Sequence, residues 1–173
     1  MEKLTWERFQ QTLAAKVDGS LHLHEASLAL ELPLDPFVLF SPTYGLLGYK
    51  ELSHYGAANA FQDGLAHARR RAGLPGLAVS WGTWGGAGMA HRFGRGFESY
   101  WKGQGMGFIG LDEGMDTLVA LLTTDQAHAA CLPADWPKYV RGDPPRHAPL
   151  ISPPTIVPAV LTSGSPSRPS NPP

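Results

Sequence analysis

The sequence contains a single cysteine, Cys131, among 173 residues. One thiol excludes an internal disulfide framework and a Cys-rich zinc site. Net charge is almost absent: 14 basic side chains stand against 15 acidic ones, a balance of −1. That leaves no electrostatic footprint for nucleic acid. No apolar run approaches the roughly 18 residues that a membrane span needs. The opening Met1-Glu-Lys-Leu-Thr-Trp6 has no signal-peptide pattern. The expectation from these absences is a soluble, cytoplasmic chain about one domain long.

Proline and glycine are plentiful, and they are unevenly spread. Ten of the 16 prolines lie at or after Pro144, and Arg168 is the one charged side chain from Ala148 onward. Residues 151–173 therefore read as a Pro/Ser-rich disordered linker, and residues 1–150 as the folded part. Half of the 20 glycines fall between Gly82 and Gly110, which marks a candidate mobile region.

Thr5 is a candidate N-cap, and Phe9, Leu13, Val17 and Leu21 recur every four residues. This spacing predicts one helix over about 5–30, with an interruption at Gly19. Asp35-Pro36 ends it. Phe37-Val-Leu-Phe40 is wholly apolar and predicts a strand covered on both faces. A loop over 41–54 leads to a helix from Tyr55 to Arg71, with Ala58, Phe61 and Leu65 on its buried side. Gly73 and Pro75 stop that helix. Leu77–Trp81 predicts a second strand, 112–123 a helix and 127–132 a third strand. Alternating strands and helices imply an α/β fold with a doubly wound, Rossmann-like parallel sheet. With three strands, the sheet reads as incomplete, the C-terminal half of such a fold.

Tyr55 and Asn59 are four residues apart and share one helix face. A phenol at the start of a helix, by the C-terminal edge of a parallel sheet, can donate a proton. Its free pKa of about 10 must be brought down, and a nearby lysine ammonium does this by favouring the phenolate. Taken alone, the Tyr-x-x-x-Asn pair is a weak signal, and a plain surface tyrosine is the commoner occurrence.

The longer run is more specific. Tyr55-Gly-Ala-Ala-Asn-Ala-Phe-Gln-Asp-Gly-Leu-Ala66, continuing through Val79-Ser-Trp-Gly-Thr-Trp84, closely resembles the ketoreductase domain of modular polyketide synthases, within the short-chain dehydrogenase/reductase superfamily. Lys16-Val-Asp-Gly-Ser20 resembles that family's lysine segment, Phe37–Ser41 its strand before the active-site loop, and Leu132-Pro-Ala-Asp-Trp136 its closing turn. The resemblance implies Tyr55 as proton donor, with Lys16 and Asn59 as its helpers. It implies that Trp81, Gly82 and Trp84 border the cofactor and substrate cleft. Residues 85–110, Met89 among them, fall where the family carries a lid over the acyl chain. The implied cofactor is NADPH. The implied substrate is a β-ketoacyl thioester carried on an acyl carrier protein.

Two features depart from the family pattern. The substrate-orienting serine of the family stands thirteen residues before the tyrosine, where this sequence has Pro42. Proline has neither hydroxyl nor N–H. Ser41 is the candidate replacement, with Thr43 beside it, provided the chain turns there. In an extended strand both would face away. The family's N-terminal nucleotide-binding half is also expected to be missing. A Gly-x-Gly-x-x-Gly string exists at 105–110, but no good strand precedes it, so it is not expected to hold phosphate. The function expected is a part of a β-ketoacyl reductase. The alternatives are an inactive remnant, or one half of a split enzyme completed by a second polypeptide. His22 and His24 read as structural, Arg69–Arg71 as a solvated helix end, and Cys131 as an inert buried thiol.

Overall fold

The computed structural model describes residues 5–48, 52–86 and 94–142. Met89 and the proline-rich tail lie outside these residues. Strands β1 (Val38–Pro42), β2 (Leu77–Trp81) and β3 (His128–Cys131) form a parallel sheet in the order β1-β2-β3. Val38 pairs with Leu77, and Ala78 with His128. The parallel α/β sheet expected from the alternating pattern is therefore present.

The N-terminal helical segment is continuous but not uniform. Helix α1 (Trp6–Leu13) passes through a π-helical turn (Ala14–Asp18) into α2 (Gly19–Ala29). Thr5 caps α1, its Oγ1 accepting from the Arg8 N–H at 3.4 Å. The irregularity lies just before Gly19 and not at it. Next come a short helix, α3 (Tyr44–Leu47), inside the predicted loop, and the long α4 (Ser53–Arg71).

Helix α4 packs on one face of the sheet, where Leu65 and Ala66 meet Leu39 and Ala78. The other face carries Leu77, Val79 and Trp81, covered by Ile109 and by Leu118 and Leu121 of α6 (Leu111–Leu122). A third cluster lies beyond the strand ends. There Leu47, Met106 and Tyr139 meet Trp101 of α5 (Gly94–Gly103) and Trp136 of α7 (Trp136–Gly142). The stretch from Phe97 to Gln104, inside the glycine-rich region marked as mobile, is thus largely helical. Phe97, Tyr100 and Trp101 have the i, i+3, i+4 spacing of one helix face.

Two expectations fail. The β1 strand is not covered on both faces: Leu39 and Ser41 are buried against α4, while Phe40 on the opposite face is 50% exposed. The run Arg69–Arg71 is not a solvated end either. Arg69 is 2% exposed. Its Nε donates to the Pro75 carbonyl at 2.7 Å, and one Nη lies 2.8 Å from His24 Nδ1 and 3.0 Å from Ser27 Oγ. Its guanidinium also lies 3.8 Å from the centre of the Phe37 ring. One side chain thereby ties α2, α4 and the turn before β2 together. Arg70 reaches the Gly76 carbonyl and Asp125, and Arg71 alone is exposed.

Candidate active site

In a parallel sheet each connecting helix runs back against the strands, so the start of α4 lies near their C-terminal ends. Tyr55 is in the first turn of α4 and is half-buried. Lys16 approaches from the π-helical turn, its Nζ 5.6 Å from the centre of the Tyr55 ring. A π turn admits one extra residue per turn and re-aims the side chains on it; such turns recur at functional sites. The Lys16 ammonium donates to the Phe40 carbonyl and to Gln62 Oε1, both at 3.0 Å. Burial pushes its pKa down, and the Asp63 carboxylate partly offsets this.

The Phe37 carbonyl and Thr43 N–H bond to β2. Alternation along the strand therefore turns the Phe40 carbonyl to the opposite edge of β1. Lys16 thus occupies an acceptor on the sheet edge. Asn59 is fully buried. Its Nδ2 donates back to the Tyr55 carbonyl, and its Oδ1 has no hydrogen-bond partner among the described residues. Lys16 and Tyr55, from separate stretches of sequence, thus come together, with Asn59 one turn along α4 from Tyr55.

Ser41 is placed differently. Strand β1 stays extended through Pro42, so Ser41 faces α4 and is 2% exposed. Its Oγ lies 3.1 Å from Ser80 Oγ. Ser80 in turn lies 2.9 Å from His128 Nε2, and Asp63 Oδ1 is 3.7 Å from the same nitrogen. A nucleophilic triad needs the imidazole to bridge its partners through both nitrogens. Here both partners share Nε2, and Ser80 is fully buried, so this is an internal polar network. Burial raises the Asp63 pKa, with His128, Ser41, His67 and Lys16 acting in the opposite direction. Thr43 is also buried, and its N–H bonds to the Trp81 carbonyl at 3.0 Å.

Trp81 is buried, its ring centre 5.7 Å from that of Phe40 and 4.8 Å from that of Trp84. Its Nε1 has no partner among the described residues. Trp84 lies directly on Gly114 of α6, where a Cβ would overlap the indole. A Cβ on Gly82 would meet Leu132 Cδ1 at 2.7 Å, so close packing of β2 on the segment after β3 accounts for this glycine. Cys131 is half-buried, its thiol pushed up to about 11 by burial.

The glycine string at 105–110 follows helix α5 and not a strand. Gly105, at φ 86°, and Gly107 are packed against Asp135 and Pro133. Gly110 caps α6, its N–H donating to Glu113 Oε2. This string therefore offers no cradle for a dinucleotide pyrophosphate, which needs a glycine turn between a strand and a helix N-terminus. Among them there is also no cluster of potential metal ligands and no helix long and apolar enough to cross a membrane.

The family model of the KR domain matches residues 1–86. The spectinabilin polyketide synthase system protein NorB of Streptomyces orinoci is 39% identical over 128 residues, 73% of this chain and 6% of that protein. The chain belongs to the polyketide-synthase ketoreductase family. Pikromycin polyketide synthase component PikAIII of Streptomyces venezuelae is 36% identical over 77% of this chain and 8% of its own length. Among solved structures, the first ketoreductase of the tylosin polyketide synthase superposes with a TM-score of 0.71 at 37% identity. It is matched over 80% of this chain and 30% of its own. An A1-type ketoreductase gives 0.73 at 34% identity, over 81% of this chain and 29% of its own. The chain thus spans under a tenth of these curated synthases and about a third of the solved ketoreductases.

Proposed function

We propose that this chain is the proton-delivering part of a ketoreductase that reduces a β-ketoacyl thioester on an acyl carrier protein to the β-hydroxyacyl form. NADPH would be the reductant. The observation that carries the reading is the convergence of Lys16 on Tyr55 at the C-terminal edge of the sheet. Tyr55 gives its phenolic proton to the substrate carbonyl oxygen as the hydroxyl forms. The Lys16 ammonium beside it favours the phenolate left behind. Asn59, buried one turn along the same helix, stiffens the segment that carries Tyr55 and keeps a polar oxygen at the site.

Among the described residues, the glycine string at 105–110 does not fit a dinucleotide pyrophosphate. A nucleotide-binding segment beyond them would hold it, either on the same polypeptide or on a second one as a split enzyme. In this reading the segment around α5 serves as lid over the acyl chain, with Met106 and Ile109 anchoring its far end in the core, and the proline-rich tail serves as linker.

A second reading, a non-catalytic structural remnant, is favoured by Pro42. The donor expected at that point is absent, and Ser41 is held in the buried network. Loss of one positioned donor to a developing oxyanion costs about 100- to 1,000-fold in rate.

The test joins the chain to the nucleotide-binding segment of a related ketoreductase and follows NADPH oxidation with a β-keto thioester. Turnover that disappears in Tyr55→Phe supports the enzyme. Turnover appearing only after Pro42→Ser supports the remnant, and none in either form overturns the catalytic reading. Tight NADPH binding by the chain alone would refute the need for an added segment.

A further inference from the structure

Lys16 is useful to Tyr55 only if its ammonium is held in place. A lysine side chain has four rotatable bonds and an aqueous alternative for its charge. Resting on the reading of Tyr55 and Lys16 as a proton-delivery pair, we infer that Gln62 is a positioning residue that clamps the Lys16 ammonium beside Tyr55.

Gln62 is 6% exposed and lies on α4 seven residues, two helical turns, after Tyr55, on the same side of the helix. Its Oε1 accepts from Lys16 Nζ at 3.0 Å, and its Nε2 donates to Ser20 Oγ at 3.0 Å. The ammonium can only donate, so it fixes which end of the amide faces it. Ser20, four residues beyond Lys16 and also buried, holds the other end. Both ends of the clamp therefore come from the N-terminal helical segment, and its middle comes from α4. The Phe40 carbonyl is the second anchor, on β1. Three elements converge on one Nζ. The charged group facing it is Asp63, the neighbour of Gln62 on α4.

This arrangement differs from an ordinary core glutamine in its consequence for charge. A neutral carbonyl oxygen accepting from a buried ammonium favours the protonated lysine against the burial that disfavours it. Removing that oxygen should lower the lysine's affinity for its proton. Replacing it with a carboxylate oxygen should raise that affinity.

The experiment follows the Lys16 side-chain 13Cε signal through a pH titration of the full chain, assigned with Lys16→Arg. In Gln62→Leu the Lys16 midpoint is expected to fall by roughly one unit, and in the isosteric Gln62→Glu to rise by roughly one unit. Ser20→Ala should lower it by less, because only the orientation of the amide is loosened. An unchanged midpoint in Gln62→Glu overturns the clamp, and it does so even if Gln62→Leu fails to fold. The titration needs no turnover. If the lysine responds as expected while Tyr55→Phe leaves reduction intact, the clamp stands and the proton-delivery reading falls.

Discussion

The three arginines at the end of α4 offer a controlled experiment, because the chemistry is identical and only the surroundings differ. Consider Arg69→Ala, Arg70→Ala and Arg71→Ala. Loss of Arg69 leaves the Pro75 carbonyl without its donor, at a cost of about 1–3 kcal/mol for a buried acceptor. The contact with Phe37 adds about 0.5–2 kcal/mol. The buried methylenes add about 2 kcal/mol at ~0.8 each, part of which alanine retains. Ser27 keeps its bond to the His24 carbonyl, so its share is small. The sum is a loss of about 3–7 kcal/mol.

Arg70 is about a third exposed, and its partner Asp125 is fully exposed, so the ion pair contributes little. The bond to the Gly76 carbonyl adds about 1 kcal/mol. Arg71→Ala stays within about 0.5 kcal/mol, as exposed sites do. Urea denaturation followed by circular dichroism reads all three. With a slope of about 2 kcal/mol per molar, the Arg69 variant shifts by about 1.5–3.5 M and the Arg71 variant by about 0.25 M or less. Arg69→Lys should recover little, since an ammonium lacks the planar fork that reaches Pro75 and His24 together. Three equal shifts, or an Arg69 shift below about 0.5 M, would refute the assignment of Arg69 to the core.

Two further outcomes follow from the packing and the buried charge. Gly114→Ala places a methyl inside the Trp84 ring, so the indole must leave α6; tryptophan fluorescence and near-UV dichroism should both change, with a stability loss of about 1–3 kcal/mol. For Asp63, burial raises the folded-state pKa above the unfolded value of about 3.9. Its stabilising contribution is therefore complete below that value and is lost as pH rises through the folded pKa. Asp63→Asn should gain stability relative to the parent as pH rises above about 4. A parent that instead gains on the variant over that range would mean that attraction to His128 outweighs burial.

The regular parts of this fold were legible because their residues carry the period of the element. The apolar runs at 37–40 and 77–81 announced parallel strands, and the spacing of Ala58, Phe61 and Leu65 announced α4. Arg69 lies eleven residues after Ala58, three full turns, so its burial was also written in that period. Three adjacent arginines concealed it. The half-open face of β1 was not legible, since an apolar strand does not say whether its cover lies in the same stretch of chain. Helix α5 was masked by glycines at 94, 96 and 103, although its aromatics had helical spacing. The π turn leaves no mark in Ala-Ala-Lys-Val-Asp, which is ordinary helical sequence. For the site, Tyr55, Lys16 and Asn59 stood out by resemblance. Gln62 did not, because its partner is 46 residues away and only the tertiary fold joins them.

The bond from Lys16 to the Phe40 carbonyl has a consequence for self-association. A half-exposed phenylalanine on an open strand edge is a template on which another chain can add a strand. A lysine planted on that edge occupies an acceptor such a strand would need, and it brings a charge that an incoming backbone must displace. Among the described residues the Lys16 ammonium therefore guards this edge of the sheet. On the proposed reading of Lys16, support of Tyr55 and protection of this edge fall to one side chain, so Lys16→Ala is expected to aggregate more readily than the parent at equal concentration, read by light scattering.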